Sequence, residues 1–135
     1  MIVLNSEIEF ILENQDEVLK WISLSILEEG FREGELNYIF CSDAYLLDLN
    51  IKHLNHNTLT DIISFDYTIG KLISGDIFIS IDRVIDNSKS YKVTFLDELH
   101  RVMIHGILHY CGYKDKSKED KLEMRSKEDL YLSKR

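Results

Sequence analysis

Apolar and polar positions change period several times along this 135-residue chain, and each change marks a predicted element. Residues 6–12 (SEIEFIL) place Ile8, Phe10 and Leu12 at every second position, which predicts a first strand. Asn14, with Glu17 three residues on, predicts a capping box. Val18, Leu19, Trp21, Ile22, Ile26 and Leu27 then form a helical stripe that ends at Gly30. Leu36, Tyr38 and Phe40 alternate again as a second strand, and a short helix opens near Ser42 and runs through Leu46, Leu47 and Leu49. Residues 60–67 (TDIISFDY) and 72–81 (LISGDIFISI) read as two more strands joined through Gly70. Three helices fill the remainder: one over about 82–90, a long one from Thr94 to Cys111, and a last one after Ser117. The order β α β α β β α α α predicts an α+β fold, with a small mixed sheet of about four strands covered by helices.

Composition narrows this picture. A chain of 135 residues, 44% of them hydrophobic, suffices for one core, so residues 1–135 are expected to form a single domain. No apolar run approaches the roughly 20 residues of a membrane span. The start, MIVLNSEIEF, lacks the basic region and cleavage site of a signal peptide, which makes the cytoplasm the expected location. Cys41 and Cys111 have no framework spacing, in keeping with a reducing compartment. The net charge of −8 disfavours a general nucleic-acid binder but is unevenly spread. Residues 1–50 carry 11 acidic and 2 basic side chains, residues 51–110 carry 7 and 6, and residues 111–135 carry 6 and 8. An anionic substrate, if there is one, belongs toward the C-terminal half; solvated lysines on a final helix account for the same imbalance.

The C-terminal half also holds the stretch HGILHYCGYKD, residues 105–115. Residues four apart on a helix share a face about 6 Å apart along the axis, so His105 and His109 can offer imidazoles to one ion. His100 and Cys111 lie elsewhere around the cylinder. Gly112 suits a left-handed turn that would end the helix and let Asp115 approach the same point. Two histidines and one carboxylate leave a fourth position open, the ligand count of a catalytic zinc site. On spacing alone, an aspartate after Gly112 also fits a polar turn. Glu98, seven residues before His105, falls on the ligand stripe and is a candidate acceptor for a histidine N–H, or a solvent-facing carboxylate. A zinc protease of the HExxH type needs a glutamate where this chain has Gly106, so that route to peptide hydrolysis is disfavoured. A glycine inside a helix costs about 1 kcal/mol relative to alanine, which predicts a close approach there by another backbone or a substrate.

These residues resemble the HGxLHLxGYDH signature of the YbeY family of metal-dependent endoribonucleases. Leu49 and Asn50, TDIISF at 60–65, and Gly75, Asp76 and Ile77 resemble that family's LN, TDVLSF and GDI elements in order and approximate spacing, while Glu98 and Met124 fit an acidic position and a methionine on either side of the signature. The resemblance implies that His105 and His109 are zinc ligands and that Asp115 stands where a third histidine is usual, with one zinc per chain. It implies metal-assisted hydrolysis of RNA in maturation of the 3′ end of small-subunit ribosomal RNA and in ribosome quality control, with ribosomal RNA and the small ribosomal subunit as partners. Asp61, Ser64 and Asp76 fall in strand motifs of the family next to the site. One departure stands out. The family's arginine after LN falls at Leu54 in HLNHNTLTD (53–61), leaving Lys52, His53 or His56 as nearby substitutes for a guanidinium suited to phosphate oxygens. That loss and the acidic charge support an alternative, a ribosome-assembly binding factor whose metal is mainly structural.

Overall fold

Nine elements follow the predicted order in a computed structural model that describes residues 1–135. They are β1 (Ile2–Ser6), α1 (Gln15–Glu28), β2 (Arg32–Cys41), α2 (Asp43–Leu54), β3 (Ile62–Asp66), β4 (Leu72–Ser80), α3 (Ile81–Tyr91), α4 (Phe95–Tyr110) and α5 (Lys118–Leu132). The sheet order is β1-β2-β4-β3. The first three strands in that order run parallel, and β3 pairs antiparallel on β4, so the sheet is mixed as expected. No helix is long and apolar enough to cross a membrane.

Two N-terminal expectations need correction. The first strand is Ile2–Ser6, a parallel edge strand on β2; the alternating segment after it makes no strand. Leu12 is buried, and Ile8 and Phe10 pack on the core from an irregular connection that Ser6 Oγ bends by donating to the Phe10 carbonyl (3.2 Å). A loop draped over a core buries alternate side chains just as a strand does, so period alone cannot separate the two. The predicted capping box at Asn14 is also missing. Asn14 adopts a left-handed conformation (φ 55°) and its side chain makes no cap. Ser42, Ser80, Thr94 and Ser117 do cap the later helices, each accepting from a backbone N–H of the first turn.

Helix α4 runs through the interior. Leu99, Met103, Ile104, Ile107 and Leu108 are fully buried against the sheet and neighbouring helices. Gly106 explains how the helix lies so close: a Cβ there would meet the Ile77 and Ile62 side-chain ends at 3.1 and 3.2 Å. The close neighbours are sheet side chains, in place of the backbone or substrate expected at this position.

His100, on the same helix, is a core histidine. Its ring lies 5.7 Å from Trp21, and Nδ1 accepts from Arg135 (2.9 Å) while Nε2 has no partner. Burial, with the Arg135 charge, pushes its pKa down to about 4. The unfolded chain therefore takes up a proton between pH 6.5 and about 4 that the folded chain refuses, and stability falls as pH drops through that window. The denaturant midpoint of wild type should decline more steeply from pH 6.5 to 4 than that of His100→Gln; parallel profiles would show that His100 is not the group responsible.

Candidate metal centre

The end of α4 is built to turn the chain back on itself. Gly112 takes φ +99°, its N–H donates to the His109 carbonyl (3.0 Å), and the Tyr113 N–H donates to the Leu108 carbonyl (3.1 Å). This is the paired hydrogen-bond pattern of a Schellman helix end, and it needs a residue that tolerates positive φ. The reversal carries Asp115 to the two histidines. His105 Nε2, His109 Nε2 and Asp115 Oδ2 form a triangle with edges of 2.9, 3.2 and 3.3 Å. His105, His109 and Asp115 can therefore hold a metal ion. Bonds of about 2.0–2.1 Å in a tetrahedral zinc site place neighbouring ligand atoms about 3.3 Å apart, so the triangle has the right size.

The far side of each ring decides which nitrogen carries the proton. His109 Nδ1 lies 2.9 Å from the Tyr113 carbonyl, an oxygen that can only accept, so Nδ1 carries the proton. His105 Nδ1 lies 2.6 Å from Glu128 Oε2, and the same logic applies. With the proton on Nδ1, each Nε2 turns its lone pair toward the Asp115 carboxylate, an arrangement that a cation relieves. Burial lowers the proton affinity of His105, but the hydrogen bond and charge of Glu128, with Asp115 and Asp61, outweigh it and its pKa is raised. The field that favours a proton on that ring favours a cation beside it.

Glu128 takes the role foreseen for Glu98. Seven residues along a helix span about 10 Å, so Glu98 shares a stripe with His105 without reaching it. Glu128 comes from α5, is buried, and accepts from Arg101 (3.0 Å) as well as from His105. The overlooked signal was its position. Met124, Glu128 and Tyr131 are the buried residues of α5, at helical spacing, so a carboxylate on the apolar stripe required a partner.

Around the triangle opens a cleft of about 400 Å³, walled by Thr60, Asp61 and Ser64 from the β3 side, by Glu98, Arg101, His105 and His109 of α4, and by Asp115, Arg125 and Glu128. Burial raises the pKa of Asp61, opposed in part by His105, and burial with the Asp61 charge raises that of Glu98. Asp76 is not on the wall; its carboxylate accepts from Asn37 Nδ2 (2.9 Å) across the sheet. Leu54, Lys52, His53 and His56 do not line the cleft either. Lys52 pairs with Asp48 (3.0 Å), and the His53 ring stands edge-on to Phe65.

The family model described as "Endoribonuclease YbeY" matches residues 4–135. The chain belongs to the YbeY endoribonuclease family. Among curated members, it is 60% identical over 129 residues to the endoribonuclease YbeY of Flavobacterium johnsoniae, covering 96% of this chain and 93% of that protein. It is 59% identical over 132 residues to that of Flavobacterium psychrophilum, covering 98% and 94%. The solution structure of a Thermotoga maritima protein superimposes with a TM-score of 0.72 over 98% of this chain and 87% of that one, at 24% identity, which bears on the fold alone. YbeY membership agrees with the ordered motifs: the LN pair lies in α2, TDIISF leads into and forms β3, and the GDI run lies in β4.

Proposed function

We propose that this chain is a zinc-dependent endoribonuclease of single-stranded RNA. It acts in the cytoplasm on the 3′ end of small-subunit ribosomal RNA and in ribosome quality control, with the small subunit as its partner. Residues 1–135 then serve as one metal-hydrolase domain in which His105, His109 and Asp115 hold one zinc. The observation that supports this is the convergence of three electron-pair donors whose histidine tautomers are set by acceptors behind the rings. Zinc held there would supply Lewis-acid chemistry toward a phosphodiester.

The chain's own groups shape the rest. The Schellman turn holds Asp115 opposite His105, the Glu128 carboxylate keeps His105 in its orientation, and the Tyr113 carbonyl does the same for His109. Asp115 in place of a third imidazole adds a negative charge, which would strengthen electrostatic attraction for the cation and temper its Lewis acidity. Membership in an endoribonuclease family supports RNA as the substrate.

Metal analysis and RNA cleavage test this together. Wild type should carry about one zinc per chain and cleave single-stranded RNA until a chelator is added. Asp115→Ala should lose most of its metal, whereas His100→Ala, altered on the other side of α4, should retain it. Equal retention would reduce Asp115 to a turn residue. A zinc-loaded wild type that binds ribosomal particles without cleaving RNA would replace the nuclease reading with that of an assembly factor. The acidic wall of Asp61, Glu98 and Glu128 is the observation that favours this second reading.

A further inference from the structure

A phosphodiester entering this cleft meets carboxylates on several sides and needs a cation with free hydrogen-bond donors. Leu54 supplies none: it is an exposed leucine at the end of α2, away from the cleft wall. Two guanidinium groups do line the cleft, Arg101 and Arg125. They differ in what they already hold. Arg101 is committed, with one nitrogen donating to Glu128 (3.0 Å) and another to Asp129 (2.8 Å), and its side chain is only 20% exposed. Arg125 makes no hydrogen bond. Its one ionic neighbour is Glu128 Oε1 at 3.8 Å, beyond donor reach, and its side chain is 58% exposed.

The position of Arg125 is set by the residue behind His105. Buried Met124 docks α5, and Glu128 three positions after Arg125 bonds the His105 ring, so Arg125 stands about one helical turn from the group that orients a proposed metal ligand. A guanidinium there keeps its five donors in a planar fork that matches two oxygens of a phosphate.

We propose that Arg125 binds the non-bridging oxygens of the RNA phosphate presented to the metal centre. The inference rests on the nuclease reading for its substrate. Arg125 is then a substrate-binding residue that holds a phosphate against the open side of the His105, His109 and Asp115 triangle. The charge it brings offsets the repulsion of Asp61, Glu98 and Glu128 for the incoming anion.

The test compares zinc-loaded wild type, Arg125→Ala, Arg125→Lys and Lys52→Ala. Two readouts are needed: cleavage of single-stranded RNA by the zinc-loaded proteins, and the salt dependence of binding to the same unmodified RNA after a chelator has removed the metal and stopped cleavage. Arg125→Ala should lower kcat/KM about ten- to a hundredfold, the range expected when a charge-assisted hydrogen bond to phosphate is lost. It should also reduce the slope of log K against log salt by about 0.7, as one phosphate contact fewer requires. Arg125→Lys should recover the salt slope but only part of the rate, since an ammonium restores the charge without the fork. Lys52→Ala should leave cleavage and slope unchanged. An unchanged slope and rate in Arg125→Ala would overturn the assignment. So would loss of zinc or of thermal stability in that variant, which would make Arg125 a support for Glu128. If wild type cleaves nothing while the slope still drops, the nuclease reading fails and the phosphate contact stands.

Discussion

His109→Ala should remove metal retention and RNA cleavage together while leaving the fold intact. The side chain is 28% exposed in the last turn of α4, and its Nδ1 partner, the Tyr113 carbonyl, can turn to water when the ring is gone. Little core packing is therefore lost. What disappears is one of three converging donors. Structural zinc binds peptides with about 10–16 kcal/mol of apparent free energy, so one ligand among three or four is worth about 3–5 kcal/mol, or about two to four orders of magnitude in affinity. Competition with a chromogenic chelator would measure the affinity, gel-resolved cleavage the activity, and a thermal melt of the metal-free protein the fold. Activity in a His109→Ala protein shown to be metal-free would sink the metal-dependent reading outright.

Glu128→Ala should be the most damaging single change outside the ligand triangle. It takes one partner from the buried end of Arg101 and leaves the His105 Nδ1–H facing a void. Breaking a buried ion pair from one side costs about 3–5 kcal/mol, and removing the carboxylate behind a ligating histidine weakens metal binding about 10–100-fold. Asp129→Ala is the control. Asp129 also accepts from Arg101, but its side chain is 60% exposed, so its loss should cost about 1 kcal/mol or less. Glu128→Gln retains an acceptor for His105 and should lie between the two. Urea unfolding of the metal-free proteins separates the stability effect from the metal effect. Equal losses in Glu128→Ala and Asp129→Ala would mean that burial gives Glu128 no special role.

The local part of the candidate site was legible because it obeys short-range rules. His105 and His109 share a face by helical period, Gly112 reverses the chain because positive φ costs glycine nothing, and Asp115 follows within reach. Thr94, Ser42 and Ser117 announced their helices because a cap needs only neighbouring backbone. Where a local pattern has two physical origins, period alone does not separate them. Alternation at Ile8, Phe10 and Leu12 reflects a loop laid on the core, and the Asn14 side chain leaves the helix end uncapped.

By itself, then, the sequence determined the α+β element order, the shared face of His105 and His109 and the family, since each depends on spacing along one helix or on motifs in fixed order. Only the tertiary structure decided the strand order β1-β2-β4-β3, the buried carboxylate behind His105, and which cations face the cleft. Glu128 lies 23 residues from His105, and Arg125 meets the site from a different helix than the histidines do. Contacts of that kind depend on how α5 docks against α4, which is settled by burial of Met124 and Tyr131 across the whole core and has no fixed spacing along the chain.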